Sequence, residues 1–503
     1  MLTRWLAFCY YVGRGYMKFQ STRGQAAIVD GIDALINGLA PDGGLYVPLV
    51  FPTIDFNWKK LQDENYLQIG QLVLSTFFDE FSNSEIADFL KSAYRDFDDS
   101  KIVRVHQLDG KRNLLELFHG PTLAFKDMAL SLLPYLLTAA IKKSGSSKTL
   151  VILTATSGDT GGAALKGFSD VPQTKIVVYY PSVGVSKLQR QQMTTADGKN
   201  THVVAVTGNF DDAQKAVKNL LTDHRLIQKM NAASLTFSSA NSINIGRLMP
   251  QVIYYVYAYA QLVKNNRLSA GEKLDVTVPT GNFGDILAAY WAKKLGVPIG
   301  KLTVASNANH VLTDFFATGI YDADRSFQVT SSPAMDILVS SNLERLLFDV
   351  AGSKAVAAWM KDLADKRRYQ LDDLSLSRLQ DSFNAAFADP KTTAQTIRET
   401  FQQNNYLLDP HTAVAVSVEK DFPSDRQQLI VATASPFKFA ETVLKALGKE
   451  AGNDPQVNLN LLSDLSGQAV PEAINGLFNK KVLHTKKLAI EDLPTDLNKA
   501  LGI

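Results

Sequence analysis

Lys126 stands in the string Leu117-Phe-His-Gly-Pro-Thr-Leu-Ala-Phe-Lys-Asp127, an apolar strand-turn-helix setting. An amine held there is poorly hydrated, so its pKa falls and its nucleophilic neutral form gains, which favours Schiff-base chemistry. The plain alternative is a surface lysine in the first turn of a helix. That placement is electrostatically awkward, because the positive end of the helix dipole disfavours a cation. Three other stretches are dense in glycine and small hydroxylic residues: Thr154 to Gly162, Ser239 to Arg247 and Thr280 to Asp285. None is a Walker loop, and none is a Gly-x-Gly-x-x-Gly fingerprint. Any one alone reads as a tight turn with nothing bound. Three together, each leading into a helix, read as anion cradles built from free N–H groups and the helix dipole. A lysine and a glycine-rich phosphate cradle on separate loops suggest pyridoxal phosphate, with Lys126 as the amine that joins it.

These loops need a scaffold, and the pattern from about residue 112 onward supplies one. Strands are expected at Leu114–Phe118, Thr149–Ala155, Lys175–Tyr180, His202–Val206, Leu235–Ser238, Leu274–Val278, Lys301–Ala305 and Gln428–Thr433. Helical patterns lie between them, from about Phe125 to Ile141, through Lys166, and from Asp285 to Leu295. Strands alternating with such helices imply crossover units and a mainly parallel sheet, an α/β fold whose ligands bind at the carboxyl ends of strands. The first hundred residues differ: Pro41-Asp-Gly-Gly-Leu-Tyr-Val-Pro48 is turn chemistry, and 57–97 is mostly helical in pattern, so an α-rich unit precedes the α/β body. The charged stretch 360–405 reads as a helical surface insertion.

Composition narrows the function classes. The chain has 503 residues, 46% hydrophobic and 20% charged, which suits a globular protein of two or three units. A net charge of +2 gives no electrostatic case for nucleic acid. A single cysteine, Cys9, excludes an intramolecular disulfide framework and multi-cysteine metal sites. No metal is expected, since no His/Asp/Glu cluster has metal-motif spacing. No apolar run approaches the roughly 18 to 20 residues that span a bilayer, so no membrane partner is expected. Residues 1–16 have a weak signal-peptide layout without an Ala-x-Ala site, and read as an extension upstream of Met17.

The strings around Lys126, together with Ala155-Thr-Ser-Gly-Asp-Thr-Gly161, Ser239-Ala-Asn-Ser-Ile-Asn-Ile-Gly-Arg247 and Pro279-Thr-Gly-Asn-Phe-Gly-Asp285, occur in the order expected of threonine synthases. The resemblance runs from about Ser21 to Phe439 and is to the longer branch of that family, found in enteric bacteria and fungi. It implies the tryptophan-synthase-β-like fold type II of pyridoxal-phosphate enzymes, with two α/β domains and an N-terminal α-rich unit. The implied division is an extension at 1–16, an N-terminal domain at 17–105, a large domain from 106–150 and 240–503, and a small domain at 151–239. The implied reaction is O-phospho-L-homoserine plus water to L-threonine and phosphate, in a cytoplasmic monomer or homodimer.

By the same resemblance Lys126 joins the cofactor and later moves protons at Cα and Cβ of the substrate. Gly281, Asn282, Phe283, Gly284 and Asp285 match the cradle for the cofactor phosphate. Asp159 stands where shorter relatives carry an Asn that touches the cofactor's 3-hydroxyl, and Thr433 matches the hydroxyl facing the pyridine nitrogen. Ser242 and Arg247 match the grip on the substrate phosphate, with Thr160 assisting and Thr156 and Ser157 placed for the substrate carboxylate. Ser435 departs from the family string and has no assigned role. His119 reads first as a turn-fixing side chain, His411 as a helix-start element, Asn307 and Asn309 as loop-fixing, and the tyrosines from Tyr254 to Tyr259 as core. The same motifs also suit a phospho-lyase giving 2-oxobutyrate, or a non-catalytic binding protein on this fold.

Overall fold

The computed structural model describes residues 16–503. The expected extension at 1–16, with Cys9, therefore lies outside the described residues apart from Tyr16. Two sheets carry the α/β body. The larger has six strands in the order Phe383–Phe387, Ile299–Ser306, Leu274–Pro279, Gln428–Ala432, Arg112–Glu116 and Arg104–Gln107. All its pairs are parallel except the last, where Arg104–Gln107 runs antiparallel along the edge. The smaller sheet is wholly parallel, in the order Lys487–Leu488, Thr201–Val206, Thr174–Pro181, Thr149–Ala155 and Leu235–Ser238. Central strands such as Gln428–Ala432 are buried along their whole length, as a parallel sheet covered on both faces demands.

The eight expected strands are all present within a residue or two of their expected ends. Three expectations are corrected elsewhere. Residues 360–405 are not a surface insertion: Phe383–Phe387 is an edge strand of the large sheet, and the helix Pro390–Asn404 packs its Ile397 into the core beside it. The helix expected over Phe125 to Ile141 is two helices, Lys126–Leu130 and Leu133–Lys143, with Pro134 in the first turn of the second, where its missing N–H costs nothing. The N-terminal unit is α-rich as expected, and strands Val29–Asp30, Lys18–Ser21 and Tyr46–Pro48 add a small antiparallel sheet beside helices Tyr66–Phe77 and Asn83–Ala93. Last, 240–503 does not belong wholly to the larger unit. Lys487–Leu488 pairs with Thr201–Val206, and helix Leu493–Leu501 buries Leu493 and Leu497 against the small sheet.

The helix Ile245–Lys264 ties these parts together. It is apolar on every side and buried along nearly its whole length, the signature of a helix with no solvent face. It packs against Tyr66–Phe77 of the N-terminal unit on one side and Gly284–Leu295 on another. Its first turns carry Arg247 and Gln251 to the mouth of the sheet. Among the described residues no helix is long and apolar enough to cross a membrane.

Candidate active site

Three neighbouring parallel strands of the large sheet end on one side, and each hands the chain to a loop of the site. Arg112–Glu116 leads to Lys126, Leu274–Pro279 to the Gly281–Asp285 turn, and Gln428–Ala432 to Thr433. Thr149–Ala155 of the small sheet delivers Ser157 to Thr160 from across the cleft, with Ser242 and Arg247 arriving on the start of Ile245–Lys264. Lys126, Ser157, Asp159, Thr160, Ser242, Arg247, Gly281, Asn282, Phe283, Gly284, Asp285 and Thr433 all line this single cleft.

Backbone bonds lock the lysine loop to the Thr433 loop. Phe125 N donates to Thr433 O at 2.8 Å, Ser435 N to Leu123 O at 3.0 Å, and Ala124 and Ala434 form a β-bridge. The Lys126 side chain is 11% exposed, and desolvation lowers its pKa, with Asp159 opposing and Arg247 and Lys438 adding to the fall. The neutral amine that Schiff-base chemistry needs is thus within reach.

The Gly281–Asp285 turn is shaped by its surroundings. Gly281 O accepts from Ser340 Oγ at 2.8 Å and Asn282 O from Asn342 N at 3.0 Å, so both carbonyls are engaged by the 340–342 turn. A Cβ on Gly281 would lie 2.7 Å from Ala334 O, so only glycine lets the loop run this close. Phe283 caps the helix with φ 63, a left-handed conformation that costs about 1 kcal/mol or more without a glycine, and its buried ring stacks on Phe316 at 6.0 Å. The first-turn N–H groups of Gly284–Leu295 have no partner within their own helix, which makes the turn an anion cradle.

Asp285 is unusual in such a place. Tyr254 and Tyr255 both donate to its Oδ1, at 2.5 and 2.6 Å, while Oδ2 has no partner. Burial pushes its carboxyl up to about 6 against the pull of the two hydroxyls. These tyrosines are core residues, as read from the sequence, yet their hydroxyls serve the site; two adjacent tyrosines on an otherwise apolar helix were the available signal.

Arg247 is nearly buried, with NH1 donating to Ala240 O at 2.7 Å and NH2 to Thr160 Oγ1 at 3.3 Å. Among the described residues no carboxylate lies within ion-pair distance of it. Burial lowers its pKa to about 10, so it remains a cation awaiting an anion. Thr156 is corrected: it is absent from the cleft lining, and its Oγ1 accepts from Gly158 N at 2.9 Å and Gly161 N at 2.8 Å, fixing the loop. Gly158 has φ 134, and a Cβ there would meet Gln189 Cδ at 2.5 Å.

Asp159 opens the helix Asp159–Phe168, where the dipole favours its charge. Burial raises its pKa, but Lys438 and Lys126 more than reverse this and hold the carboxyl far below the usual range. Sequence reading passed over Lys438 and Gln189, both touching Asp159, although a lysine inside Pro436-Phe-Lys-Phe-Ala440 is conspicuous among apolar neighbours. His411 does start a helix, and it also lines the cleft. Its Nε2 accepts from Ala334 N at 3.2 Å and its Nδ1 faces Asp409 Oδ2 at 2.6 Å, so the ring backs the loop beside Gly281. Asn307 and Asn309 fix the loop through Asp336, at 2.7 and 3.1 Å. His119 does not reach the cleft; it sits between Asp98 and Glu116, 3.0 Å from each. No cluster of His, Cys, Asp and Glu among the described residues would hold a metal.

The residues fit pyridoxal phosphate. A largely buried amine, a glycine-walled helix start and the Thr433 hydroxyl face one cleft from three adjacent strand ends, and the buried Arg247 guanidinium lines the same cleft. Comparisons agree. Three family models match in order: threonine synthase N terminus over 18–94, pyridoxal-phosphate dependent enzyme over 101–433, and threonine synthase, C-terminal over 412–493. Human threonine synthase-like 1 is 38% identical over 487 residues, covering 93% of this chain. The chain spans just under two thirds of that relative's length, 64%. Threonine synthase of Pseudomonas aeruginosa is 38% identical, covering 86% of this chain and 90% of its own. The crystal structure of pyridoxal-phosphate-bound threonine synthase from Brucella melitensis superposes with a TM-score of 0.85 at 35% identity, covering 97% of this chain and 99% of that one.

Proposed function

The chain belongs to the threonine synthase family of pyridoxal-phosphate-dependent enzymes, and on that premise we propose that it converts O-phospho-L-homoserine and water to L-threonine and phosphate. The observation that carries the reading is the second anion site. Arg247, with no carboxylate partner among the described residues, shares the cleft with Lys126 and the Gly281–Asp285 cradle but is carried by a different helix. One cradle serves a cofactor phosphate, and the other serves a phosphate on the substrate.

Bound pyridoxal phosphate supplies the electron sink that lets Cα and Cβ of an amino acid lose protons. Lys126, the Gly281–Asp285 turn, Asp159 and Thr433 would hold it. Lys126, lowered in pKa and freed when substrate binds, is the base that moves protons at Cα and Cβ. Arg247 and Ser242 bind the departing phosphate, and the guanidinium offers it a bidentate, charge-assisted contact. Thr160 orients Arg247 through its hydroxyl. Ser157, in the turn before helix Asp159–Phe168, is available to the substrate carboxylate.

A second reading has its own support: the relatives called threonine synthase-like 1 match as closely as the threonine synthases do. In it the same residues release phosphate but yield 2-oxobutyrate and ammonia. The deciding experiment incubates pyridoxal-phosphate-loaded protein with O-phospho-L-homoserine and measures phosphate, threonine and 2-oxobutyrate in one tube. Equimolar phosphate and threonine is the expected result. Phosphate with 2-oxobutyrate makes the protein a phospho-lyase, and no turnover by loaded protein makes it a binding protein on this fold. A phosphorylated amino acid does not cross membranes unaided, so we place the reaction in the cytoplasm, in a monomer or homodimer that sedimentation will distinguish.

A further inference from the structure

Lys438 is a fully buried ammonium with no part in the roles assigned above. It lies in the short turn Pro436–Phe439, directly after the Thr433 loop. Its Nζ donates to Thr122 O at 2.7 Å and stands 3.0 Å from Asp159 Oδ1. Gln189 Nε2 donates to the same Oδ1 at 2.7 Å. The other oxygen, Oδ2, is left 3.4 Å from Lys126 Nζ. The carboxylate is therefore divided, one oxygen anchored by Lys438 and Gln189 and one presented to Lys126.

Charge matching gives this division its effect. A buried carboxylate whose sole cation was Lys126 would hold that lysine as an ammonium, which is neither nucleophile nor base. With Lys438 already neutralising Asp159, Lys126 is free to lose its proton. We propose that Lys438 is a positioning residue, which anchors and neutralises Asp159 so that the Lys126 amine is released for chemistry. The inference rests on the reading of Lys126 as the amine that joins the cofactor. The other charged or titratable groups facing the trio are Arg247 and Asp285 beside Lys126, Asp127 beside Lys438, and His411 beside Asp159. None of them contacts Asp159 Oδ1, so none substitutes for Lys438.

The test uses cofactor-free protein, an amine-acylating reagent and mass spectrometry of the Lys126 peptide, with modification rate followed against pH. In parallel, the visible band of pyridoxal-phosphate-loaded protein is titrated. Lys438→Met is expected to raise the Lys126 midpoint by about one pH unit or more, and Lys438→Arg to leave it near that of the unaltered protein. Asp159→Asn, leaving Lys438 unmatched, is expected to lower it by a similar amount. The double variant Lys438→Met/Asp159→Asn is expected to return it to within a few tenths. An unchanged midpoint in Lys438→Met overturns the proposal. If that variant does not fold, equal midpoints in Asp159→Asn and the double variant overturn it instead. Absence of any visible band that Lys126→Ala removes defeats the cofactor reading alone, because the acylation series still reports whether Lys438 governs Lys126.

Discussion

On the proposed function, Arg247 and Asp285 divide two phosphates between two cradles. Among the described residues the Arg247 guanidinium meets a carbonyl and a hydroxyl and no carboxylate, which suits it to the substrate phosphate of the proposed reaction. Arg247→Ala is expected to lower kcat/KM for O-phospho-L-homoserine about 100-fold or more, with pyridoxal phosphate affinity changed less than about threefold. Equal losses in steady-state kinetics and in cofactor titration would remove it from the substrate site. Asp285 presents a different problem, an acid inside an anion cradle. Its carboxyl, raised to about 6, is neutral below that pH and a repelling charge above it. Sulfate, whose own charge is constant there, should bind cofactor-free protein about tenfold more weakly as pH rises from 5 to 7. Asp285→Asn should abolish that dependence in a calorimetric titration. Residue types with evident chemistry, such as Lys126 and the glycine loops, were legible in the sequence. Lys438, Gln189 and the Tyr254–Tyr255 pair were not, because each acts on another side chain that only folding brings near.

At the scale of elements, strand ends were more legible than strand partners. The runs Thr149–Ala155 and Gln428–Ala432 carry continuously apolar centres at 150–153 and 429–432, and their boundaries show in composition. Arg104–Gln107 is mostly exposed and Phe383–Phe387 only partly buried, and both are edge strands without that pattern, so a sheet neighbour alone makes them strands. The supports of the cradle were hidden for a related reason. Buried Arg345 donates to Tyr46 O at 2.9 Å and to Ile243 O at 2.7 Å, joining the N-terminal unit to the 239–247 loop across long separations in sequence. Thr22 and Arg23 reinforce that joint, donating to Glu344 at 2.6 and 3.0 Å. His119 makes a second joint, between Asp98 and the end of strand Arg112–Glu116. Burial alone would lower its pKa, but Asp98 and Glu116 raise it to about 9. The sign follows from the protonated form being favoured in the folded state. Its stabilisation is fully present below about 6.5, the unfolded value, and is lost as pH climbs through 9. Thermal melts should therefore lose about 1–2 kcal/mol of stability over that window, allowing for the exposure of Asp98, and His119→Gln should flatten the decline.

At the scale of the molecule, residues 486–501 close the small sheet from a distance. Asp496, buried, accepts from Tyr179 Oη at 3.1 Å and faces His202 Nε2 at 2.9 Å, and it also pairs with Lys486. Asp496→Ala strands these partners and should cost about 3 kcal/mol, read as a lower Tm and faster proteolytic cleavage between 484 and 503. Unchanged cleavage would mean that apolar burial of Leu493 and Leu497 alone holds the segment. This return also sets an order of events during synthesis. The strand Thr201–Val206 emerges from the ribosome long before its neighbour Lys487–Leu488 exists. At about 5–20 residues per second, its outer edge stays open on the order of tens of seconds, while the cleft residues from Ser242 to Thr433 are being made. The small sheet is then the last part of the nascent chain to be sealed, and through that interval its bare strand edge is where a chaperone, or another unfinished copy, would bind.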